Sequence, residues 1–391
     1  MGGNDRTVCM SMRDSLRAGI CERLVEKALS EAEAAGRLAL SVRQVRRLKR
    51  RVKEEGARGV VHRSRGRPSP RRISEAVQAD VVRLYRETYA GWNMVHFGEY
   101  LASRHGITLS PETLRKMLLA EDARPRRRRR KQHRQWRERR PREGELIQMD
   151  TSIHSWLGED GEKVVLISAV DDATSRILWA EFFEHNGVLE NLTLVRDIVA
   201  KYGLPQSLYL DHHTIFFVPQ EAALAARERG EEALTQFGQV MKCLGIEMIP
   251  AGSPQAKGRV ERSYGTLQDR LLKELRLEDV RTRVEANRYL HETFIPAYNK
   301  RFGVEPADSE AAWVPTGPID EHAVFCLRET RVVQNDATIS VAGQKWQLRG
   351  RVRSRQRVEL RTWLDGTVHV YNGDTELEYH RVGQAKATAA H

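Results

Sequence analysis

The sequence predicts a multidomain chain: an all-α N-terminal part built of two similar helical units, a central α/β part, and a small C-terminal β-barrel. Three observations predict it. Apolar residues recur at helical spacing up to about residue 121. Strand-like and helical runs then alternate between residues 144 and 305. From Phe325 onward the pattern becomes short strand-like runs with turn dipeptides between several of them. At 391 residues the chain is long enough for two to four cores.

The formal charge of +12 and pI ≈ 9.7 point to a polyanionic partner. Nucleic acid comes first, because Lys and Arg that neutralise phosphates release counterions. Cys9, Cys21, Cys243 and Cys326 are scattered without a CxxC pair, which argues against a disulfide framework or zinc site. The sequence has neither an 18-residue apolar run nor a signal-peptide apolar region, so a soluble intracellular protein is expected.

Taken in order, Asp14 to about Ser30 reads as a helix on Leu16, Ile20, Leu24, Val25 and Leu29. A second helix, Glu31 to Leu38, ends in the turn Ala39-Leu40-Ser41. Ser41 then caps Val42 to Val52, whose inward stripe is Val42, Val45, Leu48 and Val52. Helix, short turn and basic helix over 1–60 form a helix-turn-helix pattern, offering Arg43, Gln44, Arg46 and Arg47 to a major groove. The bland alternative is a charged, solvated helix face. Within the linker 61–73, Arg65-Gly66-Arg67-Pro68 resembles an AT-hook arm that would place Arg65 and Arg67 in a narrow minor groove. A plain basic linker accounts for it equally well.

Residues 74–122 repeat the theme. Ser74 to Thr88 and Val95 to His105 read as helices, and Gly106 to Leu109 as the turn. Ser110 caps a helix from Pro111 to Leu119, with Pro at its first position. This second helix-turn-helix offers Thr113, Arg115 and Lys116. The linker 123–143 holds the densest charge, with eleven Arg, one Lys and Glu138 between Arg124 and Arg142. Such blocks order on nucleic acid, and Arg126, Arg127 and Arg128 are the expected contacts. Trp136 is expected to pack on the next domain.

In the central region, 144–305, strands are expected at Leu146–Asp150, Val164–Val170 and Arg176–Phe182. The helix Asn191–Lys201 follows, stopped by Tyr202-Gly203-Leu204-Pro205. Next come a strand closing at Asp211, one helical insertion from Glu221 to Leu244, the strand Ile246–Pro250, and a helix carrying Glu261. The order β-β-β-α-β-α-β-α is that of an RNase H-like domain. A helix from Val284 to Lys300 closes it. The barrel is placed at 320–383, with strands such as Thr330–Val333, Thr338–Val341, Lys345–Leu348, Val358–Arg361 and Val368–Tyr371. Arg349, Arg351, Arg353, Arg355 and Arg357 would make its surface basic, and 384–391 reads as a tail.

Two Asp closing adjacent strands and one Glu on a flanking helix can converge despite their separation in sequence. Asp150, Asp211 and Glu261 would together present hard oxygen donors suited to Mg²⁺, with Mn²⁺ as a substitute. Two such ions about 3.5–4 Å apart can activate an attacking oxygen and stabilise a leaving one at a phosphodiester. Singly, each acid reads as a turn residue or an ion-pair partner. Asp171-Asp172 reads as hairpin-turn chemistry. His212 and His213 would either touch the scissile phosphate or a metal, or merely shape a loop. Lys257, one helical turn before Glu261, is the best phosphate contact, and Arg262 a weaker one.

Four strings carry a resemblance: Asp150-Thr151-Ser152-Ile153-His154-Ser155-Trp156, Asp171-Asp172-Ala173-Thr174-Ser175-Arg176, Tyr209-Leu210-Asp211-His212-His213-Thr214-Ile215-Phe216, and Ser253-Pro254-Gln255-Ala256-Lys257-Gly258-Arg259-Val260-Glu261-Arg262. They resemble the integrase core of bacterial insertion-sequence transposases, nearest the ISNCY group and related to retroviral integrases. With Ser41 to Leu48 and Arg65 to Pro68, the resemblance spans most of residues 35–305. It implies a DDE transposase of the bacterial cytoplasm and nucleoid, with Asp150, Asp211 and Glu261 as the metal-binding triad. Such an enzyme would bind terminal inverted repeats as a homo-oligomer, nick the 3′ ends by hydrolysis, and join each 3′-OH to target DNA. The His-His after Asp211 departs from the Asn-Gly of many relatives and leaves the triad intact. A transposase-derived DNA-binding regulator is the alternative, against which the complete triad speaks. A hydrolase of RNA–DNA hybrids fits poorly with two major-groove readers.

Overall fold

The computed structural model describes residues 10–62, 65, 72–123, 138–158, 160–251 and 258–382, without the side chains of 258–261. Arg67, Trp136, the Arg-rich contacts Arg126, Arg127 and Arg128, and Lys257 lie outside the described residues. The chain divides into two compact units, Met1–Asp80 and Val81–His391.

In the first unit, α1 (Met12–Val25), α2 (Glu31–Leu38) and α3 (Val42–Glu55) are followed by a 3-10 turn at Gly56–Val60. Ser30 opens α2 with a reciprocal capping box to Glu33, so α1 ends at Val25 and not near Ser30. The stripe of α3 buries Val45 and Val52 and half-buries Leu48, around Cys21, Leu24 and Ala34. Val42, expected inward, is 37% exposed: it sits in the first turn, beyond the core.

The unit boundary falls inside α4 (Glu75–Glu87). After it come α5 (Met94–His105) and α6 (Pro111–Ala120), capped by Asn93 and Ser110. Tyr85, Tyr89, Trp92 and Phe97 pack between α4 and α5 at ring separations of 5.0–5.4 Å.

A five-stranded sheet then forms from β1 (Ile147–Ile153), β2 (Val165–Asp171), β3 (Ile177–Phe183), β4 (Ser207–Leu210) and β5 (Glu247–Pro250), in the order β3-β2-β1-β4-β5. The β1–β2 and β2–β3 pairs are antiparallel; the β1–β4 and β4–β5 pairs are parallel. Between β3 and β4 runs α7 (Val188–Tyr202). The insertion expected as one helix is two, α8 (Gln220–Glu228) and α9 (Gln236–Leu244). Gly230 at φ +73° breaks the first, and Thr235 caps the second. After β5 comes α10 (Gly258–Leu277), then α11 (Arg283–Tyr289), a π-helical turn at Leu290–Phe294 and α12 (Ile295–Phe302). The single helix expected from Val284 to Lys300 is thus one path with a π turn inside it.

One sheet face buries Ile147, Met149, Ile167 and Leu208 against α7 and α9. The other buries Leu166, Val170 and Phe182 against Leu267, Leu271 and Leu275 of α10, with Leu290 and Phe294. The outer side of α10 is polar, and α5 lies along it. Asn93 donates to Asp269 (2.5 Å), His96 meets Glu274 (2.8 Å), Glu99 takes both guanidinium nitrogens of Arg270 (2.8 and 3.0 Å), and Arg104 pairs with Glu278. Glu99 also pairs with Arg301 of α12 at 2.6 Å, and Tyr289 donates to Glu274 at 2.8 Å.

Beyond a short helix, α13 (Glu321–Val324), the strands are β6 (Cys326–Val332), β7 (Thr338–Val341), β8 (Gln344–Leu348), β9 (Arg357–Trp363), β10 (Val368–Asn372), β11 (Thr375–Leu377) and β12 (Tyr379–Arg381). They hydrogen-bond as a four-stranded sheet, β11-β10-β9-β6, and a three-stranded one, β12-β8-β7. Both sheets share a core of Val333, Ile339, Trp346, Val358, Leu360 and Val370.

Candidate active site

β1 is fully paired with β2 from Ile147↔Asp171 to Ile153↔Val165. Asp150 is therefore mid-strand and does not close it, because β2 supplies partners for three further residues. The parallel pairing of β1 and β4 comprises Ile147↔Leu208 and Gln148↔Tyr209; Asp150 and Asp211 each follow the last pair by two residues, Asp211 directly after the end of β4. Side chains alternate along strands, so Gln148 and Asp150 share one face of β1, with Tyr209 of β4 paired beside Gln148. Neighbouring strands lie about 5 Å apart, close enough for both carboxylates to reach one cation. Both residues are half-buried.

That face is the one α10 covers. Buried Tyr264 donates its hydroxyl to the Asp150 carbonyl at 2.5 Å and lies 3.3 Å from the Leu166 carbonyl. Burial, then the nearby Asp150 charge, holds its phenol well above the ordinary range, so it stays a neutral donor. Glu261 is one helical turn before Tyr264 on the same helix. The latch thus brings the turn bearing Glu261 to the strand bearing Asp150. Among the described residues no group of three His, Cys, Asp or Glu is placed to hold a metal; the side chain of Glu261 is not among them. Sequence reasoning missed Tyr264. Its signal was an aromatic one turn from Glu261 in an otherwise polar stretch.

After β4, Asp211 accepts from the His213 amide (3.3 Å), and His213 Nδ1 accepts from the Ile215 amide (3.2 Å). His213 thus shapes its own loop. His212 is exposed, 6.0 Å from the Phe217 ring. Arg262 is exposed at the start of α10.

Asp171 and Asp172 are fully buried and form a knot, not just a hairpin turn. Asp171 accepts from the amides of Gly144 (3.0 Å) and Thr174 (2.7 Å) and from the Thr174 hydroxyl. Asp172 accepts from the Arg140 amide (2.8 Å) and from Gln148 (2.5 Å). Burial raises the Asp171 carboxyl above its usual range despite these donors. Gly144 itself has φ +85°, and a Cβ there would stand 2.6 Å from the Trp313 ring.

The expected DNA readers fall in two places. On α3, Arg43 and Arg47 are exposed, whereas Gln44 closes a capping box with Ser41 and Arg46 pairs with Glu31 at 2.7 Å. Arg65 folds back on Asp14 at 2.5 Å; with Ser11 as the larger cause, it lowers the Asp14 carboxyl. On α6, Thr113 is half-buried and Arg115 and Lys116 are exposed, Arg115 gripping Glu112 at 2.7 Å. No described helix is long and apolar enough to cross a membrane.

A family model described as a homeodomain-like domain matches residues 44–118, from α3 through α6. The transposase-named protein y4bF of Sinorhizobium fredii is 34% identical over 369 residues, covering 93% of this chain and 79% of its own. The transposase for insertion sequence IS1202 of Streptococcus pneumoniae is 30% identical over 352 residues, covering 80% and 74%. Among solved structures, a chain of the simian T-cell lymphotropic virus intasome in complex with a PP2A regulatory subunit covers 77% of this chain and 96% of its own, at TM-score 0.34 and 15% identity. The HTLV-2 integrase catalytic core with magnesium covers 39% and 88%, at TM-score 0.28 and 16% identity. Both superpose too loosely to define a shared fold. The identity to the two curated relatives, sustained over most of each chain, makes this protein a member of the insertion-sequence transposases.

Proposed function

We propose that this transposase cuts and joins DNA at Asp150, Asp211 and Glu261. The observation that supports the reading is that Asp150 and Asp211 each follow by two residues the last pair of the parallel strands β1 and β4, with α10 latched to Asp150 one turn from Glu261. Carboxylate oxygens suit hard divalent cations, so the three side chains would hold Mg²⁺ or Mn²⁺. When bound, two such ions would supply the charge that activates the attacking oxygen and stabilises the leaving one.

In the first step water attacks a phosphorus at the element's end, and the bond to the departing 3′ oxygen breaks, freeing a 3′-OH. In the second that 3′-OH attacks a target phosphodiester, forming a new P–O bond as the target's 3′ oxygen leaves. The chain's part is to position and to neutralise charge. The α3 and α6 faces, with the Arg-rich linker 123–143, would hold the terminal repeats as duplex. Joining two ends calls for a homo-oligomer, as the resemblance implies.

The test uses purified protein, labelled duplexes bearing the flanking terminal repeats, and Mg²⁺. Nicking at the 3′ ends and joining into a plasmid are expected from wild type and not from Asp211→Asn. Tight, salt-sensitive binding without cleavage in Mg²⁺ or Mn²⁺ would overturn the reading in favour of a DNA-binding regulator.

A further inference from the structure

We propose that the seam between α5 and α10 is a ruler: it fixes how far from the bound terminal sequence the cut falls. The inference rests on the reading of Asp150, Asp211 and Glu261 as the reactive site and goes beyond it. One helix serves both ends of the device. Near its start α10 carries Glu261, and further along, from Asp269 to Glu274 and on to Glu278 just past its end, its outer side receives α5. At 1.5 Å per residue the seam lies about 12–26 Å along the axis from Glu261, the rise of roughly four to eight base pairs.

The seam is built to hold one register. His96 is fully buried, stacked on Trp92 at 4.0 Å and bonded to Glu274. Arg270 is 8% exposed and its guanidinium is held in bidentate fashion by Glu99. Such pairs add little net stability against apolar packing, but they penalise every misaligned arrangement that leaves a buried charge alone. From α5 the register passes to α6. A Cβ at Gly98 would stand 3.3 Å from Leu114, so the two helices meet at close range. The exposed Arg115 and Lys116 face of α6 therefore stands at a set distance from the carboxylates, held by packing and ion pairs and not by a linker.

Arg104→Glu sets like charges against each other at the edge of the seam, and Glu278→Arg in the same chain restores the pair with its sign reversed. Glu99→Ala, which strips Arg270 and Arg301 of their partner, is a second way to loosen it. Each variant is read three ways: hydrogen exchange along α5 and α10, the nuclease footprint on a terminal-repeat duplex, and the position of the 3′ ends made in Mg²⁺. Faster exchange, an unchanged footprint and 3′ ends spread over neighbouring positions are expected for both loosened variants. The charge-swapped pair should return to one position. A single wild-type 3′ end despite faster exchange would overturn the ruler, as would unchanged exchange in both variants. No cutting by wild type, or full cutting by Glu261→Gln, would instead overturn the reading of the site.

Discussion

Asp171 and Asp172 show what one residue can do without touching the chemistry. Together they tie β2 to the segment entering the sheet, through the amides of Arg140 and Gly144. In Asp171→Asn an N–H₂ replaces one acceptor oxygen, and either the Gly144 amide or the Thr174 pair loses its partner. The expected cost is about 1–3 kcal/mol in urea unfolding, and an unchanged midpoint would contradict the knot. The phenol of Tyr264 makes a different prediction. Tyr264→Phe keeps the packed ring and removes only the donor, so stability should fall by roughly 1 kcal/mol. Strand joining should fall further than that, with a higher Mg²⁺ requirement, because the turn bearing Glu261 loses its anchor. Equal losses of joining and stability would reduce Tyr264 to a packing residue. The strand pattern singled out Asp150 and Asp211 as candidates in the sequence, since an acid at the edge of an apolar run stands out. Neither the knot nor the latch could be read there. Both join residues far apart in the chain, and a local Asp-Asp-Ala-Thr turn looks the same whether or not Gly144 donates to it.

At the scale of elements, caps and periodicity made most helices legible, and the misplacements have local causes. Leu29 keeps the spacing of α1, but the Ser30 capping box had already opened α2. The polar seam was invisible because period analysis asks which residues are apolar, and Asp269, Arg270, Glu274 and Glu278 read as solvated. His96 in that seam gives a pH test. Burial depresses its pKa below 6.5 against the raising effect of Glu274, so the unfolded chain binds its proton first. Its contribution is complete above the unfolded value near 6.5 and is lost as pH falls below it toward the folded value. His291, lowered by burial, adds a slope of the same sign. Stability should therefore drop between pH 7.5 and 5.5, and His96→Asn should flatten part of that drop. An identical slope in the variant would mean that folding leaves the His96 pKa unshifted. In α3, Ser41→Ala should cost about 1 kcal/mol through the lost cap. Arg47→Ala should leave stability alone and lower the salt slope of duplex binding by about one.

Across the molecule, the C-terminal part is tied to the five-stranded sheet more closely than a separate barrel would need. Leu204 and Val314 exchange backbone hydrogen bonds at 2.9 Å, and Trp313 stacks on Tyr202 with ring centres 5.3 Å apart. Gln236 of α9 takes both the amide and the carbonyl of Arg328 in β6, at 2.9 and 2.8 Å. Phe325, 1% exposed at the entrance to β6, sits in the same apolar cluster as Ile147, Leu208 and Val240. The sequence shows the change from alternating helices and strands to strands alone, but not that the first residues of the new part complete the old core. Phe325→Ala removes a ring of the old core carried at the entrance to the new strands, and the expected cost is about 3–5 kcal/mol. Because that ring closes the face behind β1 and β4, the loss should be felt in both parts. Hydrogen exchange at β1 and β4 should accelerate together with exchange at β9 and β10, and strand joining should fall at temperatures where wild type is unaffected. Exchange that accelerates at β9 and β10 alone would mean that the strands beyond Cys326 fold on their own core, with Phe325 only resting against the five-stranded sheet.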